Sequence, residues 1–314
     1  MNAAAISTRG LGRAFGDLWA VRGLDLDVQR GEIFGLVGPD GAGKSTTMRL
    51  LSGILAATEG DATVAGHSVR TDEESIKSRI GYMSQRFGLY GDLSVEENLR
   101  FYADLYEVSR RERLPAEERL LGFSNLTPFR KRLARDLSGG MKQKLGLACA
   151  LIHKPEVLFL DEPTNGVDPV SRRDFWRILY GMLKEGVTIF VSTAYLDEAE
   201  RCTRVGMMDQ GRLVLCGTPA SLKAGMAGVL TEVEVAAPRA AKDVLAEILG
   251  PNRVSLFGGK LHLWTAGEED IAVAENALAR KGIEISAQKR IVPNLEDVFI
   301  TQVAAGQAGN GAAA

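Results

Sequence analysis

Leu24, Leu26 and Val28 alternate with Asp25, Asp27 and Gln29, the two-residue period of a strand with one face buried and one face wet. A Gly31-Glu32 turn follows, then the short apolar run from Ile33 to Val37, which suits a fully buried strand. From Met48 to Leu55 the apolar positions take helical spacing, so strand, glycine loop and helix follow in order. Between Leu89 and Leu151 the pattern changes: Leu99, Tyr102, Leu105 and Tyr106 are typical of apolar residues at helical spacing among many Glu and Arg. This predicts a mainly helical segment, about 86–151, inserted into an α/β domain. Val157 to Leu160 and Val187 to Ser192 read as buried strands, and Met207 to Val214 as a hairpin turning at Gly211.

Near Ala224 the chain turns rich in glycine and alanine, which places a linker at 224–230 and a first domain at 1–223. Residues 231–303 then predict strand Glu232–Val235, helix Ala240–Leu249, strands Val254–Phe257 and Leu261–Trp264, helix Asp270–Lys281, strand Ile283–Gln288 and a last helix from Asn294. That order describes a small α+β domain. The tail 304–314 holds only Gly, Ala, Gln and Asn and is expected to be disordered.

Composition removes several function classes. With 38 basic and 40 acidic residues the net charge is −2, which gives no support for a nucleic-acid surface. No window approaches the run of apolar residues that a membrane span needs. Met1 to Arg13 lacks the apolar stretch of a signal peptide. Cys149, Cys202 and Cys216 are spaced for neither a disulfide framework nor a zinc site, and His67, His153 and His262 are isolated.

Three segments carry chemistry. Gly38-Pro39-Asp40-Gly41-Ala42-Gly43-Lys44-Ser45, followed by Thr46, fits G-x-x-x-x-G-K-[ST] between a strand and a helix. Its glycines let backbone N–H groups point inward at phosphates, Lys44 can reach the β- and γ-phosphates, and Ser45 can ligate magnesium. Val157-Leu158-Phe159-Leu160-Asp161-Glu162 delivers two carboxylates at the end of a buried strand. Asp161 suits a magnesium shell, and Glu162 is placed to polarise an attacking water. Leu137-Ser138-Gly139-Gly140-Met141-Lys142-Gln143 opens a helix and exposes backbone N–H groups, a second anion-binding surface.

In this order, with Gln85 between them, these segments resemble the ABC ATPases over residues 6–223. The resemblance implies an α/β fold: a P-loop ATPase core with a mainly helical insertion, here followed by the small α+β domain. It implies ATP and Mg2+ as ligands and a homo- or heterodimer of ATPase domains that sandwiches two nucleotides. Ser138, Gly139 and Gly140 would contact the ATP held by the partner, Asp168 would lie in the loop that crosses the dimer interface, and Gln85 would sense magnesium. Phe15, before Gly16, sits where the family stacks an aromatic on adenine; a core role is the alternative. The segments 87–99, 195–200 and 293–299 are similar to those of ABC-2-type exporters, including the drug-resistance and multidrug-efflux ATPases. That implies a separate polytopic membrane permease, a peripheral location at the cytoplasmic face of the cell's inner membrane, and no nucleic-acid partner.

Two positions depart from the family's pattern. Asp40 stands where asparagine is usual and is expected to point away from the phosphates. Ala194 stands where a histidine usually contacts the γ-phosphate, and alanine can neither hydrogen-bond nor carry charge through its side chain. Either the chain hydrolyses ATP with Glu162 and the two anion sites, or it is a regulatory subunit of reduced activity paired with a histidine-bearing ATPase domain. An ABC ATPase acting on ribosomes or DNA is a third reading, without the basic or coiled-coil segments such proteins carry. The C-terminal domain is expected to be an extension that helps dimerise, with a regulatory role as its alternative.

Overall fold

A computed structural model describes residues 4–85, 88–226 and 228–301. Phe87, the first residue of the segment 87–99, and the tail 304–314 lie outside them, as does Ala227. The chain divides into two compact units at Cys216/Gly217.

The first unit begins with β1 (Ile6–Phe15), β2 (Leu18–Val28) and β3 (Ile33–Val37), then α1 (Lys44–Leu51), β4 (Glu59–Val64), β5 (His67–Ser68), α2 (Glu73–Lys77) and β6 (Ile80–Met83). The helical segment follows as α3 (Val95–Leu105), α4 (Arg110–Phe123) and α5 (Gly139–Leu151). It belongs to the first unit and is not a separate one. Then come β7 (Val157–Asp161), α6 (Pro169–Lys184), β8 (Thr188–Thr193), α7 (Leu196–Ala199), β9 (Arg204–Asp209) and β10 (Arg212–Gly217).

Two sheets form. One is antiparallel, in the order β2-β1-β4-β5; the other runs β10-β9-β3-β8-β7-β6, with β9, β3, β8, β7 and β6 parallel. Central strands of a parallel sheet are covered on both faces, and β3, β7 and β8 are accordingly buried at every position. One apolar cluster joins Ile6, Leu11, Leu24 and Leu26 of the antiparallel sheet to Met48, Leu50 and Leu51 of α1 and to Phe34, Phe159 and Phe190 of the parallel sheet. Phe190 stacks on Phe34 at 5.3 Å and tilts against Phe159 at 5.6 Å, which locks the three strands that end at the site.

β1 escaped the sequence reading. Gly10 and Gly12 interrupt its alternation, and shifts in its register with β2 re-aim the side chains. α1 starts at Lys44, before the predicted Met48, because its first turn is polar and shows no apolar period.

The second unit holds α8 (Pro219–Ala224), β11 (Val229–Val235), α9 (Pro238–Leu249), β12 (Val254–Phe257), β13 (Lys260–Thr265), α10 (Glu268–Arg280), β14 (Ile285–Arg290) and a last helix over 295–301. Its antiparallel sheet runs β12-β13-β11-β14 around a core of Val233, Leu245, Leu261, Leu263 and Leu278. The two ends of the stretch read as a linker, 224–230, are regular structure: Ala224 closes α8, and Val229 and Leu230 pair with Thr265 and Trp264. A glycine- and alanine-rich segment becomes strand when a neighbour completes its ladder. Buried His262 lies 2.9 Å from Asp297 of the last helix, fastening that helix to the sheet.

Phe190→Ala is expected to cost about 3–5 kcal/mol, the usual range for deleting a buried aromatic ring. Urea unfolding followed by circular dichroism should show the matching loss of midpoint; an unchanged midpoint would contradict the role given to this ring.

Candidate functional site

In an open parallel sheet, ligands gather beyond the carboxyl ends of the strands. Four such ends meet here. β3 runs into the glycine loop, β6 into Gln85, β7 into Asp161 and Glu162, and β8 into Thr193 and Ala194.

The loop's glycines are sterically required. Gly43 caps α1 in the left-handed region, at φ 102°, and a Cβ there would sit 2.3 Å from the carbonyl oxygen of Ala20. A Cβ on Gly38 would sit 2.3 Å from that of Met208. The loop curls around Lys44, which is only 4% exposed, and the Lys44 ammonium donates to the carbonyls of Gly38 at 2.8 Å and Pro39 at 3.0 Å. Its charge is met by the Glu162 carboxylate at 3.3 Å. A cation so deeply buried needs such compensation.

Glu162 follows β7 with φ at 47°, strained for a residue with a side chain. Its N–H donates to the Ser192 hydroxyl at 3.0 Å and the Ser192 carbonyl at 3.2 Å, so β8 holds the bend. The bend turns the carboxylate back toward Lys44. Its other oxygen, Oε2, accepts from Gln85 Nε2 at 3.1 Å and Asn165 Nδ2 at 3.4 Å. Asp161 accepts from the Ser45 hydroxyl at 2.9 Å and the Ser192 hydroxyl at 2.7 Å. Burial, with the Asp161 charge adding, pushes Tyr82 up to about 12, so its phenol stays protonated beside that carboxylate.

A cavity of about 360 Å³ opens over this cluster, lined by Ala20, the loop from Asp40 to Thr46, Gln85, Glu162 and Asn165. Asp40 is exposed, yet it also lines the cavity. The donor set suits magnesium. Ser45 and Asp161 offer a hydroxyl and one carboxylate, and this cation is usually held by one or two carboxylates, water and substrate phosphates. No cluster of three metal-ligating side chains occurs among the described residues.

Other residues singled out in the sequence lie apart from the cavity. Ser138 caps α5, accepting from Met141 N–H at 3.4 Å; Gly139 is open to solvent. Gly140 packs under Ser171, whose hydroxyl would meet a Cβ at 2.4 Å. Asp168 caps α6 through the N–H groups of Val170 and Ser171, and its hydrogen bonds, chiefly with Ser171, hold its carboxyl below the usual range. Phe15 is 48% exposed under the guanidinium of Arg13, 4.7 Å from the ring centre, and does not line the cavity. Ala194 is exposed after β8, where its methyl group offers no polar contact.

Sequence reasoning missed Ala20, Tyr82, Asn165, Ser192 and Tyr195. Only Asn165 carried a local signal, three residues beyond Glu162 in a turn closed by its own N–H to the Glu162 carbonyl at 3.2 Å. Tyr195 donates to Asn165 Oδ1 at 3.4 Å and stacks under Arg172, 4.7 Å away. Arg172 lies 3.5 Å from Glu198, a fully buried carboxylate that also accepts from the hydroxyls of Thr164 and Thr193.

Residues 21–165 match the sequence pattern of the ABC transporter family. The chain is 50% identical over 230 residues to the probable multidrug ABC transporter ATP-binding protein YbhF of Escherichia coli K12. That match takes in 73% of this chain but 40% of the relative, so the chain spans about two fifths of it. It is 35% identical over 302 residues to the daunorubicin resistance ATP-binding protein DrrA3 of Streptomyces coeruleorubidus, covering 94% of this chain and 95% of that one. Among solved structures, cbiO1 of Clostridium perfringens, part of the ABC transporter complex cbiONQ, superposes with a TM-score of 0.66 at 27% identity, over 71% of this chain and 92% of its own. The parallel sheet with its glycine loop is thus the P-loop fold of the ATPase cassettes, and the chain belongs to the ABC transporter family as one of its ATP-binding proteins.

Proposed function

We propose that this chain binds and hydrolyses ATP to drive an exporter of the drug-resistance type. It would act as a dimer of ATPase domains on a separate membrane permease at the cytoplasmic face of the membrane. The observation that carries this reading is the convergence of Lys44, the Ser45–Asp161 pair, and the Gln85–Glu162 pair on one cavity, with Ser138, Gly139 and Gly140 outside it. A second anion surface away from the first cavity supports a nucleotide shared between two chains. No helix among the described residues is long and apolar enough to cross a membrane, which fits a division of labour with a permease.

The chemistry follows from the contacts. ATP phosphates exchange places with Glu162 as the partner of Lys44, and the N–H groups of the loop cradle them. Ser45 and Asp161 would hold Mg2+, which neutralises phosphate charge when bound. Oxygen Oε1 of Glu162, released from Lys44, accepts a proton from the water that attacks the γ-phosphorus. The bond from phosphorus to the bridging oxygen breaks, and ADP and phosphate form. Oxygen Oε2 stays with Gln85 and orients the carboxylate.

Ala194 favours one competing reading: a low-turnover subunit that depends on a histidine-bearing ATPase partner. The two readings give opposite outcomes for Ala194→His. Under the proposal kcat changes by less than about threefold; under its rival it rises tenfold or more.

Glu162→Gln should lower kcat by about a hundredfold or more while ATP still binds, as loss of a general base does. Phosphate release from the full chain checks turnover, and a fluorescent ATP analogue checks binding. Near-normal turnover in this variant would remove Glu162 from the reaction.

A further inference from the structure

Ala194 brings no polar side chain to the end of β8, and the carboxylate of Glu162 is held by other residues of the chain. We propose that Asn165, oriented by the Tyr195 hydroxyl, is a positioning residue for Glu162: it holds Oε2 together with Gln85 and so aims Oε1 at the attacking water. The inference rests on the reading of Glu162 as the base.

The geometry assigns the amide. Tyr195 donates its hydroxyl proton to Asn165 Oδ1 at 3.4 Å, which turns Asn165 Nδ2 toward Glu162 Oε2 at 3.4 Å. The flipped amide would set oxygen against carboxylate oxygen and lose that contact, so the acceptor-only carboxylate fixes Nδ2 toward Glu162 and leaves Oδ1 to accept from the phenol. Gln85 presents its own N–H2 group to the same oxygen at 3.1 Å. Two donors on Oε2 leave the carboxylate one rotational setting. Among the described residues Lys44 is the partner of Oε1, and arriving phosphates draw Lys44 away.

Tyr195 is built into a frame. Its ring lies under Arg172, and Arg172 is fixed by Glu198. Glu198 is fully buried and ties Thr193, just before Ala194, to Thr164, just before Asn165. The Tyr195 N–H also donates to the Thr193 hydroxyl at 2.9 Å. The loop after β8 and the loop after β7 are therefore tied to each other through Glu198, and Asn165 lines the cavity from the second of them. Both contacts of Asn165 are long for hydrogen bonds, as catalytic contacts commonly are before substrate closes the site.

The test is steady-state ATPase of the full chain carrying Asn165→Ala, Tyr195→Phe and both together, beside Glu162→Gln. Losing one donor to a charged group should lower kcat about tenfold in Asn165→Ala, with the KM for ATP within about twofold. Asn165→Asp, the same shape without a donor, should fall as far. Tyr195→Phe should lower kcat less and add nothing in the Asn165→Ala background, because it acts through that amide. A turnover loss in Glu162→Gln beside a normal kcat in Asn165→Ala overturns this inference and spares the base; normal turnover in Glu162→Gln overturns both. A second measurement needs no turnover. The side-chain amide resonance of Asn165, identified by its disappearance in Asn165→Ala, should shift in Tyr195→Phe and in Glu162→Gln. If neither variant moves it, the inference fails.

Discussion

A buried ammonium group governs this site. Lys44 is enclosed by the loop that carries it and cannot be left there as an uncompensated charge. Two loop carbonyls and one carboxylate supply the compensation. That carboxylate arrives from β7, two places from β3 in the sheet, and only because Glu162 accepts a left-handed backbone that β8 pins through Ser192. Loop, strand order and backbone strain are thus parts of one electrostatic requirement. The apolar clamp of Phe34, Phe159 and Phe190 keeps the three strands level beneath it.

The same requirement links binding to chemistry. On the proposed function, phosphates replace Glu162 at Lys44, and the displaced oxygen is the one then free to act on water. Asp161 is kept apart from this exchange. Ser45 and Ser192 hold it through hydroxyl donors, and no ion pair to it occurs among the described residues. Adjacent carboxylates are thereby given different partners, hydroxyls for Asp161 and a buried cation with amides for Glu162, which suits the two separate duties proposed for them.

What could be read from the sequence was what is encoded in consecutive residues. The glycine loop, the two carboxylates and the Ser138-Gly139-Gly140 turn each announce their backbone conformation by residue type and spacing. The strands β3, β7 and β8 announce themselves by unbroken apolar character. Contacts across the sheet were silent. Ser192 is one serine in a strand, Tyr82 one tyrosine in another, and only the register of β6, β7 and β8 brings both to Asp161. β1 was hidden by its glycines, and the start of β11 by a composition that suits a linker until β13 completes its ladder. Phe15 is at the surface under Arg13, which removes the core role named as its alternative, and the residue next to the cavity that position alone did not suggest is Ala20.

The ion pair between Lys44 and Glu162 also sorts molecules before any chemistry starts. An uncharged nucleoside brings nothing to Lys44 in exchange for the carboxylate it would have to displace, so the pair stays shut against it. A nucleotide with several phosphates replaces one negative partner with a stronger one and adds contacts to the N–H groups of the loop. On the proposed function, discrimination between a phosphorylated nucleotide and the bare nucleoside follows from the resting electrostatics of the loop, independently of how the base is recognised.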